Sequence, residues 1–205
     1  MFYTIKGECS VEITEKKSKF ICNVFHVESV QEAEDKLNII RKKYHDARHN
    51  CYVYKVVEED VFKASDDGEP SGTAGVPMLN IVNGRNLSNI LVVVTRYFGG
   101  ILLGTGGLVR AYSLATTTAL DDSNIIKQEM GLEASFNVEY KELEEVKYHL
   151  KNRNIVISSQ EYLENVKVFV EGREEDILKL QNEKLSERVE LKDFVVLKKK
   201  YIEIE

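Results

Sequence analysis

Residues 65–75 read Ser65-Asp66-Asp67-Gly68-Glu69-Pro70-Ser71-Gly72-Thr73-Ala74-Gly75, and residues 95–112 read Thr95-Arg96-Tyr97-Phe98-Gly99-Gly100-Ile101-Leu102-Leu103-Gly104-Thr105-Gly106-Gly107-Leu108-Val109-Arg110-Ala111-Tyr112. The first block gathers hard oxygen donors and acceptors at Ser65, Asp66, Asp67, Glu69, Ser71 and Thr73. The second gathers Gly99, Gly100, Gly104, Gly106 and Gly107 around the Thr105 hydroxyl, with the cations Arg96 and Arg110 on either side. Eight of the twelve glycines fall in these two blocks. Glycine weakens helix and strand interiors, so such density marks backbone held in special dihedrals or at close approach to something else.

Three uses of the glycine-rich block are open. Placed between a buried strand and a helix, its backbone N–H groups can bind an anion, a phosphate or an RNA backbone. It can be a tight strand-to-helix turn packed too closely for side chains, or a protein-binding surface. Its spacing matches neither GxxxxGK[ST] nor GxGxxG, and no lysine follows the last glycine. The acidic block has oxygen ligands suited to magnesium or calcium, but not in EF-hand spacing. Asp and Ser also form caps and Asx-turns, so a self-bonded loop is the first expectation, a docking surface for a partner's arginines the second and a metal site the third. No metal or cofactor is expected.

His45 and His49 stand four apart, and His49 and Cys51 two apart, which raises a zinc trio or a Cys–His nucleophile. The helix-to-strand junction separates the trio, and a catalytic thiol also needs an oxyanion hole and access. Cys51 is read as a small buried hydrophobe. His49 is a minor site candidate in contact with the two blocks.

The elements that position these residues follow from periodicity. Ser29-Val30-Gln31-Glu32 has the form of a capping box, and Ala33, Leu37, Ile40 and Tyr44 continue it as an amphipathic helix ending in Arg41, Lys42 and Lys43. Val11–Ile13, Phe20–Phe25 and Cys51–Val57 read as strands. Asn89–Thr95 is short, continuous and β-branched, as a central strand covered on both faces requires, and it delivers Arg96 and Tyr97 to its C-terminal end. Val76, Leu79 and Val82 space out one helical face with Pro77 in the first turn and Gly84 at the end. Leu108, Ala111, Tyr112 and Ala115 give another, starting near Gly107.

Near residue 130 the pattern changes. Asp121-Asp122-Ser123-Asn124 closes a helix and Gly131 reads as an interruption, so the boundary between two domains, 1–130 and 131–205, is placed there. Beyond it, Leu132–Val138, Ile155–Ser159, Val166–Val170 and Val189–Ile204 read as strands. Leu143, Val146 and Leu150 form one helix, and Ile177, Leu178, Gln181 and Leu185 another. The order βαββαβ is that of a ferredoxin-like domain. Lys198-Lys199-Lys200 in the last strand is read as an exposed edge kept soluble by lysine, with an RNA contact as the alternative.

Together with Ser18-Lys19-Phe20-Ile21 and Ala47-Arg48-His49-Asn50-Cys51-Tyr52, the two blocks resemble the signature of the Impact (YigZ) family of translation-associated proteins over roughly residues 1 to 130. The resemblance implies an α+β chain whose first domain is like the second domain of ribosomal protein S5, a two-layer α/β fold. With a ferredoxin-like second domain, it would parallel the fourth and fifth domains of elongation factor G, an architectural analogy. It also implies a non-enzymatic regulator of translation or stress adaptation, working through RNA, the ribosome or a translation-related protein. A competing class is a small nucleotide- or phosphate-binding enzyme. The S5-like fold also serves small-molecule kinases, in which Gly104-Thr105-Gly106-Gly107 would wrap phosphates and Asp66 and Asp67 hold magnesium. The serine-rich continuation of that kinase loop and an evident catalytic lysine are both lacking. A protein-interaction module without nucleic acid is the third class.

Composition narrows the setting. A chain of 205 residues carries two small domains, each able to bury a core. The net charge of −6 is shared as −2 in residues 1–130 and −4 in residues 131–205, so neither half is a basic module and any RNA contact must be local. The apolar runs are too short to span a bilayer and the start is not a signal peptide, which leads to the expectation of a cytoplasmic protein. Cys9, Cys22 and Cys51 are odd in number and lack CxxC spacing, as expected of reduced thiols.

Overall fold

The computed structural model describes residues 1–182, 184–186 and 189–204. Its contacts divide the chain into one compact unit, Phe2–Lys127, and a second from Gln128 onward that includes Met1. Both are mixtures of strands and helices.

The first unit runs β1 (Phe2–Ile5), β2 (Glu8–Glu15), β3 (Ser18–His26), α1 (Val30–Lys43), β4 (His49–Val56), β5 (Val61–Ser65), α2 (Gly75–Gly84), β6 (Ile90–Tyr97) and α3 (Thr105–Asp121). Strands β2-β3-β6-β4-β5 form one sheet in that order, each pair antiparallel. The central strand β6 explains the layering. Leu91 and Val93 pack with Ala33, Leu37 and Ile40 of α1, while Val92 and Val94 pack with Met78, Val82, Leu108, Ala111 and Tyr112 of α2 and α3. A strand apolar on both sides needs cover on both sides. The two-layer arrangement implied by the resemblance therefore gives way to three layers, with α1 on one face and α2 and α3 on the other.

The Ser29 hydroxyl accepts from Glu32 N–H at 3.1 Å and starts α1. The reciprocal half of the capping box is displaced by one residue, because the Glu32 carboxylate accepts from Glu28 N–H rather than from Ser29. In α2 the buried face is Pro77, Met78 and Val82, and Val76 points outward at 52% exposure. Of the face read from the spacing, Val82 is buried and Leu79 packs against the same core, and only Val76 turns away. Helix α3 buries Leu108, Ala111, Tyr112 and Ala115 and begins at Thr105, so Gly106 and Gly107 lie within its first turn.

The second unit contains most of β7 (Ile125–Val138), a 3-10 turn at Tyr140–Glu142, α4 (Leu143–Asn152), β8 (Val156–Tyr162), β9 (Val166–Gly172), α5 (Glu174–Asn182) and β10 (Lys192–Ile204). It is βαββαβ, with β9 antiparallel between β7 and β8 and β10 also paired to β7. Gly131 does not interrupt the chain. It lies inside β7, where a Cβ would stand 2.4 Å from the Gly172 carbonyl oxygen, so the glycine answers to a close strand approach. In α5 the buried residues are Ile177 and Leu180, whereas Leu178 is 40% exposed, Gln181 is exposed and Leu185 lies beyond the helix end. The last strand starts at Lys192, three residues later than the sequence suggests. Of its lysines, Lys198 pairs with Glu133 and Lys200 with Glu171, which ties them to the sheet.

Candidate functional site

Strand register brings the signature residues together. On the face of the first sheet covered by α2 and α3, Arg96 lies opposite His49 of β4 on one side and Phe20 of β3 on the other. The Arg96 guanidinium rests 5.4 Å from the Phe20 ring centre, and its Nη1 donates to Glu69 Oε1 at 2.7 Å. Both side chains are withdrawn from water, at 8% and 3% exposure. The same Glu69 oxygen accepts from the Tyr112 hydroxyl at 2.9 Å, and Tyr112 meets Phe20 edge-to-face. Burial, with the Cys51 thiol and the Glu69 carboxylate beside it, drives the Tyr112 phenol far above its usual range and keeps it neutral.

His49 completes the node. Its Nδ1 donates to the Asp67 carbonyl at 2.8 Å, which places the proton on Nδ1 and turns Nε2 toward Glu69 Oε1 at 3.9 Å. Cys51, two residues on, is fully buried, with Sγ 3.0 Å from the Asp66 carbonyl oxygen and 3.3 Å from the Tyr112 hydroxyl. Burial pushes its thiol up to about 12 and the carboxylates of Glu69, Asp67 and Asp66 add to the rise, while the Tyr112 contact opposes it. A thiol raised in this way stays protonated at neutral pH, which disfavours it as a nucleophile.

The acidic block folds on itself. Asp66 accepts from the backbone N–H groups of Gly72, Ala74 and Gly75 at 2.8–2.9 Å, so its carboxylate caps the start of α2. Asp67 accepts from Asn50 N–H at 2.6 Å, stands 3.7 Å from Arg41, and donates its own N–H to the Ser65 hydroxyl. Thr73 turns its hydroxyl back onto the Pro70 carbonyl, and Ser71 is exposed. Gly68 and Gly72 hold the positive φ values of 85° and 75° that these turns require. Among the described residues no group of three His, Cys, Asp or Glu side chains could hold a metal ion.

Removing the cap on α2 has a predictable cost. Burial of Asp66 works to raise its carboxyl, but the three N–H donors outweigh that and hold it below the usual carboxylate range. A depressed folded value contributes stability above the unfolded value of about 3.9, and that contribution is lost as pH falls through the folded value. Asp66→Ala is expected to cost about 1–3 kcal/mol at pH 7 in urea denaturation, and to lose less stability than wild type as pH falls below about 4. An unchanged acid limb would remove this role.

The glycine-rich block divides between packing and exposure. Gly99 N–H donates to the Ser18 hydroxyl at 3.2 Å, and that oxygen also lies 3.4 Å from Arg96 Nη2. A Cβ on Gly99 would stand 2.0 Å from the Lys17 carbonyl carbon, so here the glycine permits backbone contact. Gly100 and Gly104 have positive φ values of 84° and 71°, and Gly104 is the uncapped residue before α3. Gly107 makes room for Leu103. Thr105, Gly106 and Arg110 are exposed. Arg96 and Arg110 thus diverge in role: Arg96 turns inward to Glu69, and its buried Nε has no partner among the described residues.

The family-like words contain Tyr112, Ser18 and Asn50, but sequence reasoning gave them no part in the site. Tyr112 carried a signal, since a tyrosine on a helical face of small residues needs a partner for its hydroxyl. Asn50 accepts from Thr95 across the β4–β6 pair at 2.7 Å, on the opposite face.

This arrangement defines a class of α+β protein in which a buried Arg–Glu–Tyr–His node ties an acidic loop to a glycine-rich strand-to-helix connection. The chain belongs to the IMPACT family: the Impact N-terminal domain model matches residues 16–120. It is 39% identical over 176 residues to IMPACT family member YvyE of Bacillus subtilis (strain 168), covering 84% of this chain and 81% of that one. With IMPACT family member YigZ of Escherichia coli (strain K12) it shares 40% identity over 131 residues, 62% of this chain and 64% of the other. The crystal structure of a hypothetical protein superposes with a TM-score of 0.62 at 32% identity, covering 93% of this chain and 95% of that one.

Proposed function

We propose that the protein is a non-enzymatic regulator associated with translation or stress adaptation, acting in the cytoplasm through contacts of its first unit with RNA, the ribosome or a translation-related protein. Membership of the IMPACT family supports the setting. The observation that carries the non-enzymatic part is the state of the node: Glu69, His49 and Asp66 are engaged with internal partners, and Cys51 is held as a thiol. The same engagement of Asp66 removes support from a magnesium-dependent kinase reading. What faces outward is Phe98, Gly100, Ile101, Leu102 and Gly104 of the connection, with Thr105, Gly106 and Arg110 at the start of α3. In the same proposal, residues 1–130 resemble the second domain of ribosomal protein S5 in part, with helices covering both faces of the sheet and not one. Residues 131–205, with the strand order β10-β7-β9-β8, are a ferredoxin-like domain resembling the C-terminal part of elongation factor G. No helix of the described residues is long and apolar enough to cross a membrane.

The test is recovery of ribosomes and RNA on the tagged full chain from lysate, with and without ribonuclease. Recovery that depends on intact RNA supports an RNA or ribosome contact, and recovery that survives nuclease supports a protein partner. Absence of ribosomes and translation proteins from both samples overturns the translation reading. If an RNA backbone is bound at the loop, Arg110→Ala is expected to flatten the salt dependence by about one charge, since Arg110 is the exposed cation there. Arg96→Ala should instead lower stability, because its charge is already paired inside. An unchanged salt slope in Arg110→Ala removes the phosphate contact.

A further inference from the structure

Large apolar side chains are concentrated outward on the connection between β6 and α3. Phe98 is 44% exposed, Ile101 42% and Leu102 82%, within five residues of chain. Such a cluster on a mobile loop would collapse or carry an ordering cost on binding, but this one is fixed from below. Gly99 is pressed onto the Lys17 and Ser18 backbone and bonded to the Ser18 hydroxyl, and the Arg96 guanidinium lies 5.7 Å under the Phe98 ring. The apolar side chains are therefore presented by a preformed platform.

Cations outnumber carboxylates around the platform, where Glu15 stands beside Lys16 of the β2–β3 turn and Asp46 accepts from the neighbouring Tyr97 hydroxyl. From Phe98 to Arg110 the chain contains no Asp or Glu. Arg110 is exposed within reach of Gly106, and Lys16 and Lys17 are exposed in the β2–β3 turn on which Gly99 sits. Elsewhere on this unit some cations pair with carboxylates, as Lys19 does with Glu12 and the half-buried Arg85 with Asp121. At this edge a chain of net charge −6 keeps cations beside apolar side chains.

We propose that the Phe98–Ile101–Leu102 platform is a docking surface for a protein segment that carries apolar side chains flanked by Asp or Glu. It rests on the reading of the first unit as a binding module and names the partner's chemistry. Aliphatic Ile101 and Leu102 favour protein over RNA, because base recognition uses stacking on aromatic or guanidinium planes and, of the three platform side chains, only Phe98 offers one. Apolar anchors surrounded by complementary charge are the pattern of a segment-in-groove interface.

The experiment titrates the isotope-labelled full chain with two synthetic amphipathic peptides that share one leucine pattern, one with glutamates and the other with lysines on the remaining positions. The acidic peptide is expected to shift the amides of residues 97–107 and 16–18, and the basic peptide to leave them in place. Ile101→Ser with Leu102→Ser should weaken the acidic peptide at least tenfold with the rest of the spectrum unchanged, since both side chains are substantially exposed. Equal response to both peptides, response to neither, or shifts confined to other surfaces overturns the proposal. So does an oligouridylate that moves the loop amides where the acidic peptide does not. Ribosome recovery by the wild-type chain is scored separately: its failure counts against the translation reading, whereas the peptide titration decides the docking surface.

Discussion

Glu69→Ala is expected to destabilise the first unit by about 3–5 kcal/mol, the range for breaking a buried ion pair by removing one partner. The reason is what the substitution leaves behind. Arg96, with its side chain 8% exposed, would keep a full positive charge without its carboxylate 2.7 Å away, and the Tyr112 hydroxyl would lose its acceptor. Arginine cannot escape by losing its proton, so the unit must open or distort to hydrate it. The pair is not thereby a large net source of stability, because desolvating both charges offsets their attraction. Glu69→Leu combined with Arg96→Met should therefore be less destabilising than Glu69→Ala alone, a non-additivity that marks direct coupling. Urea denaturation at pH 7, followed through the amide signals of Val92 and Val93 in β6, reads the first unit without interference from the second. A loss below about 1 kcal/mol for Glu69→Ala, or a double variant worse than the single, would show that the node is hydrated and not the buried pair described.

How much of this was legible in the sequence depended on whether the signal was local. Strand β6 could be read because its continuous run of apolar and β-branched residues has few alternatives, and α1 because Ser29 and Glu32 mark its start. Periodicity in α2 gave the helix and part of its face: Leu79 and Val82 pack toward the core as the spacing suggests, but with Val76, Met78 and Ile81 also apolar several faces fit, and packing against β6 chose Met78 over Val76. Strand β5 left no signal because four of its five residues are exposed, so no alternation of burial is written into it. Gly131 was misread for a different reason. A glycine required by an approaching carbonyl looks the same in sequence as one that ends an element.

The site was legible in its parts but not in its connections. Family-like words marked Ser18, His49, Asp66, Glu69 and Arg96, and the self-bonding expected of the acidic loop is what Asp66 does. The pairing of Glu69 with Arg96 and Tyr112 joins residues 27 and 43 positions apart. It becomes visible only once the register sets Arg96 between Phe20 and His49. An arginine beside a glycine-rich loop suggests an anion site from spacing alone. A buried carboxylate supplied by a distant loop turns the same arginine into an internal tie.

Gly99→Ala is expected to have the second large effect, and the neighbouring glycine supplies its control. At Gly99 an added Cβ would stand 2.0 Å from the Lys17 carbonyl carbon and oxygen and 2.4 Å from Ser18 N, distances that no rotamer change relieves because all three atoms are backbone. Either the connection after β6 or the β2–β3 turn must move, at a cost at the upper end of overpacking, about 3 kcal/mol or more. At Gly100 nothing lies within 4 Å of an added Cβ, and the cost is that of a left-handed alanine at φ 84°, about 1–2 kcal/mol. The two variants should also differ in reach. The Ser18 hydroxyl holds Gly99 N–H and lies beside Arg96 Nη2, so displacing the turn in Gly99→Ala carries into the charge node and shifts the amides of Lys17, Ser18, Arg96 and Glu69. Gly100→Ala should perturb only its own loop. Equal destabilisation by the two, or unshifted Lys17 and Ser18 amides in Gly99→Ala, would mean that the connection between β6 and α3 is not held on the β2–β3 turn.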